Sequence, residues 1–561
     1  MTRPLPASAL DTAAAGAPPT ARRRRRAPFW TLLALPLAAL IAAPIAAVAV
    51  AAAVPAGEVW RHIAATTLPE MLGNSVALVL LVGAMTASCG ALAAWLVTAC
   101  RFPGSRVLEV ALLLPMAMPA YVCAYAYTWL LDVAGPAQTA LRALTGLRWG
   151  QYWFPEIRSL PGAAVVLAMV LYPYVYLLCR DAFQQQSVCL VEASRTLGHS
   201  LPRCFLRLAL PLARPAIVGG VALALMETLA DFGAVQHFAV RTFTTGIYEA
   251  WFGLGDRGAA SQLAVCLLGL VAALLAVEHA ARGGRRFHPT TGRQPPVRPV
   301  VLSGWRAGLA FAACAAPVLL GFGVPAGTLL ALMLEVGDPL EPDRFLPFAR
   351  NSLVLAGATA ALAVAVAALF AWAARLHPGW PRRLAVRIAG LGYAVPGSVI
   401  AVGTLVPLGL LDNAVDAWAR ARFGVSTGLL LSGGAAALVF AYLVRFLAVA
   451  LSAVESGLGR IRPSMRDAAR VLGSRAGGAV RRVELPLARP ALLTAGLLVF
   501  VDTMKELPAT LIVRPFDFDT LAVRIHSLAA DERLAEASTA SLLVVAAGLL
   551  PVAVLSRAMR R

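Results

Sequence analysis

The sequence has one lysine, Lys505, among 561 residues. A phosphate-binding loop needs Gly-Lys followed by Ser or Thr. Lys505 stands in MKELP, so the chain holds no such loop and any ATP it depends on is hydrolysed elsewhere. Charge is scarce as well: 14% of residues are charged and 59% hydrophobic, at mean hydropathy +0.74. A soluble protein needs far more charge to cover its surface. The eight cysteines form no C-x-x-C pair and lie mostly in apolar runs. That argues against a disulfide framework or a zinc site and leaves them as small core residues. Acidic residues are outnumbered, 29 against 49 basic, for a formal charge of +20. In a soluble chain this would suggest nucleic acid. Here the arginines sit between apolar runs, where they set membrane orientation, and no nucleic-acid partner is expected. No His, Cys or Ser cluster at membrane depth suggests an enzyme.

What is abundant is long apolar sequence. Runs of roughly 20 such residues mark membrane spans, and twelve are predicted, near 29–54, 76–99, 107–131, 162–179, 214–232, 261–280, 304–334, 352–374, 388–411, 427–451, 490–508 and 537–556. The first exceeds a signal-peptide core of roughly 7–15 residues and reads as an uncleaved helix. Residues 1–28 read as a disordered cytoplasmic tail, 29–281 as a first half, 282–303 as a basic Pro/Gly-rich cytoplasmic linker and 304–561 as a second half. From a cytoplasmic N-terminus, the inside loops carry Arg101 and Arg106, 195–214, 282–298, 375–387, 460–489 and the tail 557–561. The outside loops carry mixed charge, including Glu58, Asp132, Glu156, Glu335 and Asp343. Every turn obeys the positive-inside rule, which puts both termini in the cytoplasm.

The halves repeat each other. Asn74-Ser75, Trp95 and Pro119 answer Asn351-Ser352, Trp372 and Pro396 at a spacing of 277. Six spans per half keep the direction of insertion, so the repeats are parallel about an axis along the membrane normal. The strongest repeat is a loop. Glu192–Ala216 and Asp467–Ala491 share 12 of 25 residues without a gap, ending in LPLARPA in both copies. Each copy reads as a short helix, a glycine break and an amphipathic stretch. Pro211 and Pro486 are expected to stop one helix, and Pro215 and Pro490 to open the next. A plain basic loop held by anionic lipid would need no preserved Gly, Leu and Pro spacing.

These copies resemble the EAA loop of ABC-importer permeases, Glu-Ala-Ala, three residues, Gly, nine residues, Ile-x-Leu-Pro. The first copy has Glu192, Ala193, Ser194, Gly198, Leu208, Leu210 and Pro211; the second has Asp467, Ala468, Ala469, Gly473, Val483, Leu485 and Pro486. The departures are conservative. The resemblance implies an all-α polytopic membrane protein of the MetI-like type, twelve transmembrane helices in two homologous six-helix halves. It also implies two ABC ATPase subunits docked on the two loops, a periplasmic substrate-binding protein, and ATP on the partner rather than a cofactor on this chain. The expected location is a bacterial inner membrane. Residues 226–264 (METLADFGAVQHFAVRTFTTGIYEAWFGLGDRGAASQLA), 172–186 and 502–525 resemble ferric-iron permeases of the binding-protein-dependent class. Fused permeases for thiamine and phosphonates remain alternatives, as does an ion-gradient-driven secondary transporter, which would lack paired docking loops.

Charges within apolar spans are costly and usually face a cavity or a partner. Glu227 and Asp231 answer Asp502 and Glu506 at a spacing of 275, four residues apart in each half and hence on one helix face. A near-symmetric acidic ring near the exit would suit a cation, and ferric iron favours oxygen ligands. Alternatively these carboxylates cap helix ends or pair with Lys505 and Arg514. No metal ligand set is identified: His237 reads as interfacial, and Tyr121, Tyr125, Tyr127, Tyr172, Tyr174 and Tyr176 could offer phenolic oxygen but are explained more cheaply as interfacial belts. Pro119 and Pro396, inside equivalent spans, mark either a transport path of broken helices or simple kinks.

Overall fold

A computed structural model describes residues 29–53, 57–184, 200–282, 299–336, 342–376, 379–474 and 476–559. The first half contributes helices α1 (Phe29–Ala52), α2 (Leu68–Ala99), α3 (Ala120–Leu131), α4 (Leu160–Gln184), α5 (Arg214–Ala230) and α6 (Arg257–Arg282). The second contributes α7 (Gly304–Glu335), α8 (Pro342–Leu376), α9 (Gly397–Phe423), α10 (Ala435–Gly459), α11 (Leu485–Lys505) and α12 (Leu534–Met559). Among the described residues ten helices are long and apolar enough to cross a membrane alone, and two bent pairs bring the spans to as many as twelve. The chain is an all-α polytopic membrane protein. Among the described residues the strand pairing is one short parallel ladder, Cys100–Arg101 beside Val300–Val301, which joins the end of α2 to the entry of the second half.

Two spans break at proline. Ser105–Ala117 and Ala120–Thr145 meet at 93° around Met118-Pro119, because Pro119 takes an extended backbone (ψ 138°) before α3. Pro396 does the same before α9 (ψ 145°). The predicted spans 107–131 and 388–411 are therefore broken helices, each entered through a 3-10 turn, Leu114–Ala117 or Gly392–Ala394.

Within each half the second, fourth and fifth helices form the core: α2, α4 and α5 pack together, as do α8, α10 and α11. The first helix of each half braces the other half. α1 lies on α9 and on the short helix Trp380–Ala389, while the second part of α7, Val324–Val336, lies on α3 as well as on α12. Small residues permit the close contacts, as expected where lipid supplies no hydrophobic drive between helices. A Cβ on Gly90 of α2 would stand 2.7 Å from the Val175 Cβ and 2.9 Å from the Tyr176 nitrogen. Gly220 of α5 meets the same turn of α4 from the other side, 2.6 Å from the Val175 Cα. Gly403 of α9 leaves room for the Pro44 carbonyl of α1.

Gly90→Leu should therefore force α2 off α4, at a cost of about 1–3 kcal/mol or more for overpacking. Gly308→Leu, with open space around its Cβ, should be silent. Thermal midpoints of the two variants in detergent check this.

Candidate functional site

Between the halves lies a cavity of about 150 Å³. The first half lines it with Pro119, Tyr121, Tyr174, Glu227 and Asp231, the second with Tyr393, Arg445, Asp502, Lys505 and Glu506. Every charged residue singled out in the sequence for the path thus reaches one space. Pro396 stands beside it, since a Cβ on the following Gly397 would collide with Arg445 and lie 2.6 Å from the Glu506 Oε1. Glu227 is thirteen residues into α5 and Asp502 seventeen into α11. At about 1.5 Å per residue the cavity is roughly 20–25 Å from the repeated loops that open those helices. The acidic ring is deep in the bundle, away from the loop-bearing face.

The four carboxylates divide into two kinds. Asp231 Oδ1 accepts from the Ala234 and Val235 nitrogens, each at 3.1 Å, and so closes the N-terminus of the short helix Gly233–His237. Glu506 does the same for Pro508–Val513, accepting from the Ala509 and Thr510 nitrogens at 3.0 Å and the Thr510 hydroxyl at 2.8 Å. Arg445 donates to Glu506 at 3.2 Å. Among the described residues Glu227 and Asp502 cap no helix. Glu227 stands 3.9 Å from Arg445, beyond hydrogen-bond length, and Asp502 has neither a hydrogen bond nor an ion pair among the described residues. Lys505 donates across the cavity to the Met116 carbonyl of the first half at 2.7 Å.

Arg445 was missed in the sequence reading. Its signal was a lone arginine inside the apolar run AYLVRFLAVAL, the same mark that singled out the carboxylates. The tyrosines correct a second expectation. Tyr121, Tyr125, Tyr172 and Tyr176 are buried in the bundle, so they form no interfacial belt. Tyr174 and Tyr393 line the cavity from the two halves. Tyr125 shares a 2.7 Å hydrogen bond with His526 and packs edge-on against His237 at 4.6 Å. His237 is thus packed inside, where burial, with Arg158 and His526 adding to it, pushes its imidazole down to about 4; burial pushes His526 down equally far. Both are neutral at pH 7. His237 borders a second cavity of about 260 Å³, where Arg158 pairs with Asp132 at 3.1 Å and Glu532 at 3.5 Å.

Of the repeated loops, Glu192, Ala193 and Gly198 lie outside the described residues. The first copy is described from Ser200; it runs through a π turn, Phe205–Ala209, into the short helix Leu210–Leu212, and bends 73° into α5 at Ala213. In the second copy, Asp467 and Ala468 are exposed on the helix Pro463–Val471, and Gly473 breaks it at φ +86°. There the sequence expectation fails in one respect. Pro486 ends no helix; the π turn Val480–Glu484 runs straight into α11 and carries the helix past it, and Pro490 lies inside the same helix. Leu210 and Leu485 are half-buried, whereas Pro211 and Pro486 are exposed. The loops are also anchored differently. In the first half Trp95 packs against Phe183 and Phe205, both at 5.5 Å. In the second, the equivalent Trp372 donates at 2.9 Å to Glu484, which is fully buried and also faces Arg375 at 3.4 Å and Arg466 at 3.9 Å.

Residues 87–280 and 345–561 match the family of binding-protein-dependent transport system inner membrane components. Over 95% of its length the chain is 27% identical to the Fe(3+)-transport system permease protein FbpB 2 of Haemophilus influenzae, covering 99% of that protein. A 190-residue stretch, 33% of the chain, is 30% identical to the molybdenum transport system permease protein ModB of Escherichia coli, covering 79% of it. A 150-residue stretch, 27% of the chain, is 32% identical to the sulfate transport system permease protein CysT of the same species, covering 51% of it.

Glu484→Ala leaves Arg375 and Arg466 facing a buried void and should cost about 3–5 kcal/mol. Glu484→Gln keeps an acceptor for Trp372 and should cost less. Melting midpoints in detergent should fall in that order.

Proposed function

The chain belongs to the family of binding-protein-dependent transport system inner membrane components and is the permease of an ABC importer, with ATP hydrolysed on a separate subunit; we propose that its cargo is ferric iron. An ATPase and a periplasmic binding protein are the partners that this class implies. In our reading two ATPase copies dock on 192–211 and 467–486, one per half, from the cytoplasmic side of a bacterial inner membrane. Both termini face that side, and 282–303 links the halves there. The ATPases close on ATP, the loops carry the movement into α5 and α11, and the halves rock about the cavity. Glu227, Asp231, Asp502, Lys505, Glu506, Pro119 and Pro396 form the path or its gate.

One observation carries the iron reading: carboxylates from equivalent positions of both halves converge on one cavity between them. Oxygen donors of this kind suit a hard cation. The full-length relative named for Fe(3+) transport supports the same cargo. A second reading has an oxyanion as cargo. Arg445 and Lys505 line the same cavity, and the shorter matches are to molybdenum and sulfate permeases.

Uptake of radiolabelled ferric iron by iron-starved cells tests this. Deletion should abolish uptake, and wild-type chain should restore it. A chain with both Gly198→Leu and Gly473→Leu should not, because at Gly473 a side chain at φ +86° costs roughly 1–2 kcal/mol and misshapes the second loop. If deletion leaves iron uptake intact while molybdate or sulfate uptake falls, the oxyanion reading replaces it. A double variant that inserts and transports normally would refute the docking role.

A further inference from the structure

We propose that the cavity between the halves is an exchange site for a hard multivalent cation: Glu227, Asp502 and the Tyr121 hydroxyl take the cargo, and Lys505 and Arg445 are tethered cations that it displaces. The cargo's journey rests on the importer reading above; the site itself rests on geometry.

Asp231 and Glu506 are committed to helix caps, which leaves Glu227 and Asp502 as the acidic groups free to change partner. They are equivalent residues of the two halves, so they approach the space from opposite sides of the pseudo-twofold. Tyr121 is an independent sign of a ligand. It is 5% exposed, it lines the cavity, and among the described residues its hydroxyl has no hydrogen-bond partner. An orphaned buried hydroxyl costs about 1–3 kcal/mol, a cost that an oxygen-seeking cation removes on arrival.

The positive charges break the symmetry that the carboxylates keep. Both come from the second half, and both reach into the first, Arg445 toward Glu227 and Lys505 to the Met116 carbonyl. The first-half counterpart of Lys505 is Ala230. Without cargo, these side chains supply the positive charge that buried carboxylates require. A trivalent ion at the same distance attracts a carboxylate three times as strongly as an ammonium does. It therefore takes Glu227 and Asp502 and repels Lys505 and Arg445. The same exchange releases two polar ties between the halves, so loading loosens the contact that must open for transport.

Terbium(III), a hard trivalent ion whose luminescence is sensitised by a nearby tyrosine, probes the site in the full chain held in nanodiscs of zwitterionic lipid. Wild type should give a saturable signal. Glu227→Gln with Asp502→Asn should weaken binding at least about tenfold, and Lys505→Met should tighten it by about tenfold. Misfolding cannot mimic the second effect, since it is a gain. A titration unmoved by Glu227→Gln with Asp502→Asn, or binding unchanged or weakened by Lys505→Met, overturns the proposal. If deletion abolishes iron uptake but these variants leave the titration alone, the importer stands and the exchange site falls. If the variants move the titration as expected while deletion spares iron uptake, the cation site stands and iron is the wrong cargo.

Discussion

The structure around the cavity depends on two carboxylates that close broken helices. A backbone interrupted inside an apolar bundle exposes N–H groups that no water satisfies, and each unsatisfied group costs several kcal/mol. The chain interrupts itself after α5 and again after α11. Asp231 closes the first break and Glu506 the second, each accepting two backbone N–H groups of the helix that follows. The breaks allow the chain to turn between the halves rather than run straight through. They thereby create a space in which Glu227 and Asp502, one turn earlier on the same helix faces, stand without such duties.

Fusion of two halves into one chain lets equivalent positions diverge. The caps and the two free carboxylates obey the repeat. The cations do not: Arg445 and Lys505 have no charged counterpart in the first half. The loop anchors diverge as well. An aromatic cluster around Trp95 holds the first loop, while a buried carboxylate shared by Trp372, Arg375 and Arg466 holds the second. A symmetric dimer of separate half-chains would have to place any such feature twice.

Much of this was legible in the sequence. The twelve apolar runs match the spans and bent pairs, because a bilayer-length helix is specified by length and hydropathy alone. The spacing of 275 paired the four carboxylates correctly, because a costly charge in an apolar run has few reasons to be there. The division of labour among them was not legible. Whether a carboxylate caps a helix depends on where that helix starts, and Glu506 was read inside the predicted span 490–508, whereas α11 ends at Lys505. The tyrosines misled for a related reason: an aromatic in an apolar run carries no sign of depth, and only packing shows that Tyr125 faces His526 rather than lipid. Pro486 misled because a π turn just before it, Val480–Glu484, accommodates the missing N–H without ending the helix.

The second loop's anchor bears on how a push would travel in the proposed importer. Glu484 immediately precedes α11, and its partners Trp372 and Arg375 belong to the end of α8. Arg375 also donates to the Leu458 and Ile461 carbonyls at the end of α10. One buried carboxylate thus fastens the loop to the ends of the helices that, with α11, form the core of the half. Removing a partner from such a node leaves an uncompensated charge, so the node moves as a unit or not at all. The aromatic cluster of the first half has no such restriction, since rings slide against each other at small cost compared with separating buried charges. Displacement at Asp467–Gly473 should therefore reach α11 and Asp502 with less slack than displacement at the first loop reaches α5 and Glu227. The half that carries the tethered cations is the half that is rigidly coupled, which places the movable charges where the loop's motion is transmitted most directly.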